Sequence, residues 1–338
     1  MAPQVSHATA LKWLSGAFIA AWACSLLYLY LGDSQIGFLN RRIEIQDRWA
    51  AHFPNPALPR IIITGGSSCT FSIDAERMTS QSGTPVINAG LEAGMGPAGI
   101  LLYSSRLALP GDTFVIAIEP DGLTDPPQFS KDTLRLILFR HDWNLVRQSH
   151  EIVDQSVPLP SLIFSGRPGL DGFAASIGRW VMRTPFRYDN AQVNASSFMT
   201  TSFRTTLATG LHLPAITPNN RALLIHFRDW AAKKQIHVIY SLPWCYVSDD
   251  LLVAQRQANA RFLLALSEIL PILHDETLGA QSHADMFSDT SWHLNGPTAE
   301  VRSAMILGEI QNQAYWTHDE LLASMQTPNS QSPIEPNK

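Results

Sequence analysis

The sequence predicts an α/β domain built on a parallel sheet with covering helices, preceded by one transmembrane helix. Three observations predict it. The uncharged run WLSGAFIAAWACSLLYLYL (13–31) is 19 residues long, enough to cross a hydrocarbon core of about 30 Å. Short β-branched runs ending in glycine then alternate with helical stretches, the rhythm of strand–helix–strand units. The same rhythm returns near the C-terminus. With 338 residues, 45% hydrophobic and 16% charged, the chain suits a sizeable core rather than disorder. Its net charge of −5, with no basic stripe, sets nucleic acid aside as a partner.

The membrane anchor is expected over 1–35. Lys12 precedes the span, and Tyr28 and Tyr30 sit at its far end, where amphipathic rings favour the interface. Ala21-Trp22-Ala23 offers a cleavage spacing, but the apolar run continues past it, so an uncleaved anchor is favoured over a signal peptide. A short basic head predicts N-in, C-out insertion. This places the remainder in the periplasm, with the anchor in a bacterial inner membrane. A linker helix follows within 36–59, helical over Leu39–Ala51 and broken by Pro54, Pro56 and Pro59.

The folded domain is expected over 60–315. Arg60–Thr64, Pro85–Asn88 and Thr113–Ile118 read as buried strands, with helices at Asp74–Gln81 and Gly99–Leu109 between them. The rhythm is lost from about 125 to 218, an insertion with helical pieces at Thr133–Val153 and Ala174–Met182. It resumes with a helix over Asn220–Lys234, a strand over Ile236–Leu242 and a long helix over Leu251–Leu270. A last strand at Pro271–Asp275 and a closing helix over Gly296–Gln313 follow. Residues 316–338 read as a flexible tail, polar and Pro-rich from Thr327. Cys24, Cys69 and Cys245 fit no zinc or redox spacing and read as free thiols.

Three segments carry chemistry. Gly65-Gly66-Ser67-Ser68 places a serine just beyond a buried strand, at the sheet edge where open α/β folds keep their sites. Asn88-Ala89-Gly90 ends the next strand, where a glycine N–H can face an oxygen near Ser67. In FSDTSWHLNG (287–296), a carboxylate shortly before His293 can orient the imidazole as a base. His283, Asp285, Asp289 and His293 lack a metal-binding spacing, and Glu119, Asp121 and Asp125 read as a solvated loop. No metal or cofactor is expected. Trp143, Trp230 and Trp244 read as core, whereas Trp292 beside His293 is placed to line a pocket.

In their order, these segments resemble the SGNH (GDSL-like) hydrolases. ITGGSS matches that family's first block, INAG its second and FSDTSWHLNG its last. The resemblance covers about 65–125 and 236–310. GGSSCTFSID, PVINAGLEAGMG, GDTFVIAIEP and DTSWHLNGPTAEVR are similar to a membrane-anchored bacterial subgroup associated with acyl decoration of surface polymers. The resemblance implies a flavodoxin-like three-layer sandwich. It also implies Ser67 as nucleophile, His293 and Asp289 completing a triad, and Gly90 N–H in the oxyanion hole beside Asn88. Three departures stand out. Gly66 replaces the usual aspartate, Glu119-Pro-Asp121 stands where Gly-x-Asn-Asp is usual, and three residues rather than two separate Asp289 from His293, leaving Asp285 as the other candidate. The expected function is acyl ester hydrolysis or acyl transfer on O-acetyl groups of an extracellular polysaccharide such as cellulose, with a polysaccharide synthase or acyltransferase as partner. The rival is a non-catalytic subunit of a synthesis or export machinery that keeps the fold.

Overall fold

The computed structural model describes residues 6–54, 58–124, 129–166, 174, 177–178, 181–182, 188, 192–200, 207–208 and 210–326. Helix α1 (His7–Leu31) starts at Ser6, whose hydroxyl accepts the Thr9 N–H. Its 25 residues rise about 37 Å. Trp13, Leu14, Phe18, Ile19 and Leu27 all face outward. It is long and apolar enough to cross a bilayer.

Only Gly32 and Asp33 separate α1 from α2 (Ser34–Ala51), which Asp33 caps. This helix begins five residues before the expected Leu39 and is no free linker. Ile36, Leu39 and Ile43 join the main core along one stripe, while Arg41, Glu44 and Arg48 face solvent. Trp49 Nε1 donates to the Val86 carbonyl at 2.8 Å.

The sheet has four parallel strands, β1 (Ile61–Gly65), β2 (Val86–Asn88), β3 (Thr113–Ala117) and β4 (His237–Tyr240), in the order β2-β1-β3-β4. Helices α3 (Ser67–Ser72), α4 (Ala75–Ser82) and α5 (Gly96–Ser105) connect the first three. Between β3 and β4 come α6 (Lys131–Arg140), α7 (Trp143–Val153), α8 (Leu159–Ser165) and α9 (Pro218–Lys233). The chain then adds β5 (Cys245–Tyr246), α10 (Leu252–Ser267), β6 (Ala280–Gln281), α11 (Gly296–Asn312) and α12 (His318–Gln326), with β5 and β6 forming a separate parallel pair.

Side-chain alternation sorts the helices into two outer layers. Ile62, Ile87, Phe114, Ile116, Val238 and Tyr240 pack towards α2, α5, α7, α9 and α10. Ile61, Ile63, Val86, Val115, Ala117 and Ile239 pack against Cys69 of α3, Ala75 and Met78 of α4, and Ile306 and Leu307 of α11.

Four expectations change. Thr133–Val153 is two helices, because His141 turns left-handed at φ 56° and ends α6. Both helices bury residues in the main core, so the first part of the 125–218 insertion belongs to the domain body. Of Ala174–Met182, residues 175–176 and 179–180 lie outside the described residues. The expected last strand shrinks to two isolated bridges, Ile272 parallel to Tyr240 and Leu273 antiparallel to Tyr315. Pro271 has no N–H to extend the ladder, and the chain turns at Asp275, which accepts the Thr277 and Leu278 N–H groups. The start of the tail is also structured. α12 docks on the body with Leu321 fully buried, while 327–338 lie outside the described residues.

Candidate functional site

The chain leaves β1 for β2 on one side, then returns to β3 on the other. That reversal opens a crevice between the carboxyl ends of β1 and β3, where open α/β sheets bind ligands. Ser67 stands there as the first residue of α3. The glycines before it are required by close approach. A Cβ on Gly65 would lie 2.1 Å from the Ala117 carbonyl oxygen, and one on Gly66 would lie 2.2 Å from a Glu119 carboxylate oxygen. Ser67 is half-buried. Ser68 is 1% exposed, and its Oγ, which has no hydrogen-bond partner among the described residues, lies beside a cavity of about 10 Å³ near Ser72, Ser241, Trp244 and Arg302. Of the two serines, only Ser67 is open to a substrate.

His293 is delivered by a tight loop. Phe287 and Leu294 bridge in antiparallel fashion, and Ser288 N–H donates to the His293 carbonyl at 2.7 Å. The fold of this loop brings positions 289 and 293 together despite the longer spacing. His293 Nδ1 lies 2.6 Å from Asp289 Oδ1, with both side chains buried. A carboxylate only accepts, so Nδ1 carries the proton and Nε2 keeps its lone pair. Tyr188 OH donates to Asp289 Oδ2 at 3.3 Å. Asp285 is exposed, and its backbone carbonyl accepts from Asn295 Nδ2. It is not the residue paired with His293.

The imidazole lies flat on Phe71, ring centroids 4.0 Å apart and planes 6° apart. Phe71 is four residues beyond Ser67 on α3, and so on the same helical face. His293 therefore sits about one turn along α3 from Ser67. Among the described residues no hydrogen bond joins the two.

Glu119 fills the place of the side chain that Gly66 lacks. Its Oε1 accepts the Ser68 N–H at 2.9 Å, capping α3 from the end of β3, while Gly66 as N-cap offers no side chain. Burial and then the Glu119 charge push the Cys69 thiol well above its ordinary value, so this cysteine is no nucleophile.

Gly90 does not face Ser67 as expected. Its N–H donates to Asn88 Oδ1 at 2.9 Å. Its carbonyl accepts from Arg42 Nη2 at 2.9 Å and Gln46 Nε2 at 2.8 Å. Asn88 is a bracket rather than a binding residue, its Nδ2 donating to the carbonyls of Ile73 and Cys69. Burial holds the Arg42 guanidinium down at about 10. Phe38 of α2 stacks on Tyr188 at 5.6 Å, and Tyr188 meets Phe71 edge-on at 6.1 Å. Helix α2 thus builds one wall of the site. Sequence reading did not mark Arg42 and Gln46; a polar pair four apart beside the apolar stripe of α2 is the signal that could have found them.

On the other side, Trp292 is half-buried and its ring lies 5.0 Å from that of His212. His212 Nδ1 is 2.9 Å from Asp121 Oδ2. No sequence signal marked His212, which lies outside any helix or strand. Among the described residues no group of three or more His, Cys, Asp or Glu side chains is arranged to hold a metal ion.

No family model matches the sequence, and no curated protein matches it. A solved structure described as "a putative platelet activating factor from Streptococcus pneumonia" aligns over 91% of this chain and 99% of its own, at 12% identity and a TM-score of 0.32. At that score the likeness carries no argument.

Proposed function

We propose that this chain is a membrane-anchored serine acyl ester hydrolase or acyltransferase of the SGNH type. Its proposed substrates are O-acetyl groups on an extracellular bacterial polysaccharide, with cellulose the polymer favoured by the sequence resemblance. The observation that carries this reading is the buried Asp289–His293 pair lying on Phe71, one helical turn from an accessible Ser67. Ser67 Oγ attacks the acyl carbon while His293 Nε2 takes its proton. Asp289 stabilises the imidazolium. His293 returns the proton to the leaving alkoxide, and water or a sugar hydroxyl then releases the acyl group from Ser67. The Ser67 N–H makes no hydrogen bond among the described residues and is the candidate oxyanion donor. The periplasm of a Gram-negative bacterium suits α1 as an N-in anchor, and a polysaccharide synthase is the proposed neighbour.

Hydrolysis of 4-nitrophenyl acetate tests the nucleophile. Ser67→Ala should reduce kcat by about 10³-fold or more, whereas Ser68→Ala retains activity. The reverse pattern would reject Ser67.

A second reading has support of its own. Gly90 N–H is engaged by Asn88, a carboxylate flanks the nucleophile's helix, and no hydrogen bond links Ser67 to His293. These features favour a non-catalytic subunit that keeps the fold. A Ser67 that neither hydrolyses esters nor reacts with acylating probes would select it.

A further inference from the structure

The crevice contains a second imidazole–carboxylate pair that the Ser67 chemistry does not use. Asp121 lies two residues beyond Glu119, whose carboxylate touches Gly66 and the Ser68 N–H. Its partner His212 rests against Trp292, the residue before His293. The pair is therefore tied to the loop after β3 and, through Trp292, to the loop that carries His293.

His212 is fixed with care for a residue outside regular structure. Gln255 of α10, fully buried, accepts the His212 N–H at 2.7 Å and donates to its carbonyl at 3.0 Å. Gln255 also donates to Asn259, which in turn donates to the Leu278 carbonyl. The imidazole itself stays 22% exposed, and the Asp121 carboxylate 49%. A buried amide network thus aims a solvent-reachable ring. Because the carboxylate only accepts, His212 Nδ1 carries the proton and Nε2 is left with a lone pair.

Resting on the reading of Ser67 as nucleophile, we propose that Trp292, His212 and Asp121 form the acceptor subsite and seat a hexose ring of a neutral polysaccharide. The indole takes the apolar C–H face of the ring. One hydroxyl donates to His212 Nε2 and a second to Asp121. The Asp121 charge disfavours an anionic ring. In transfer, an acceptor hydroxyl oxygen bonds to the acyl carbon, the bond from that carbon to Ser67 Oγ breaks, and the hydroxyl proton passes through His293 to Ser67 Oγ.

The test uses the full chain in detergent, carrying Ser67→Ala so that nothing turns over, titrated with cellotetraose by calorimetry. Trp292→Ala and His212→Ala should weaken binding about tenfold or more, while Trp143→Ala, at an exposed tryptophan of α7, leaves it unchanged. Trp292 packs against Cys245 and Val247, so Trp292→Phe and His212→Asn serve as milder variants. A second readout needs no substitution at the subsite. Cellotetraose should slow modification of His212 by diethyl pyrocarbonate several-fold, read by mass spectrometry. Absence of binding at about 10 mM, or equal binding by all variants with no protection of His212, overturns the proposal. Binding that depends on His212 in a protein whose Ser67 is unreactive leaves a saccharide site and removes the acylation reading. A reactive Ser67 without saccharide binding removes the subsite alone.

Discussion

Gly66 and Glu119 are two halves of one contact. The side chain missing before Ser67 is replaced by a carboxylate that arrives from the end of β3 and caps α3 through the Ser68 N–H. Two positions that read as separate features of the sequence thus meet in one contact. Gly66→Asp should destabilise the protein by about 1–3 kcal/mol, because its Cβ has no room and two carboxylates would meet. Adding Glu119→Ala should recover most of that loss in a thermal melt. Additive losses in the double variant would mean the two positions are independent. At this scale the sequence was a partial guide. Strand, glycine and loop patterns mark Ser67 and His293 as candidates, their roles come from the family resemblance, and the Asp289 pairing becomes clear only when the loop closes. The engagement of Gly90 N–H by Asn88 was invisible, because it depends on the direction of a side chain rather than on any spacing.

Among elements, α2 departs most from its sequence reading. Its charges suggested a linker, yet its buried face is what connects α1 to the crevice through Arg42, Gln46 and Phe38. Strands and most helices were legible because β-branched runs and glycine turns are local signals. The break at His141 and the shortened strand at Pro271 were not, since backbone conformation and competing bonds at Asp275 decide them. The packing of α2 has a titratable consequence. Gln35 donates to both Glu92 and Asp132, and burial, with Asp132 nearby, pushes the Glu92 carboxyl up to about 7. A raised carboxyl costs nothing while protonated in both states. The cost appears as pH passes its unfolded value of about 4.3 and is complete above about 7. Thermal stability should therefore fall between those limits, and Glu92→Gln should flatten that part of the pH profile. An unchanged slope in the variant would assign the dependence to another group.

For the molecule as a whole, the short junction between α1 and α2 matters most. Phe38 is seven residues beyond Leu31, so it lies within about 25 Å of the end of α1 at any helix angle. If α1 spans the bilayer, the crevice works close to the membrane face. A reporter active only in the periplasm, fused after residue 338, should be active in a bacterial host. Activity confined to a cytoplasmic reporter would reverse the orientation. That Ser67 is an activated nucleophile is tested by reacting the full chain with a fluorophosphonate and mapping the adduct by mass spectrometry. The account predicts one adduct, on Ser67, lost in His293→Ala. An unlabelled protein, or an adduct on Ser68 or elsewhere with Ser67 untouched, would contradict it.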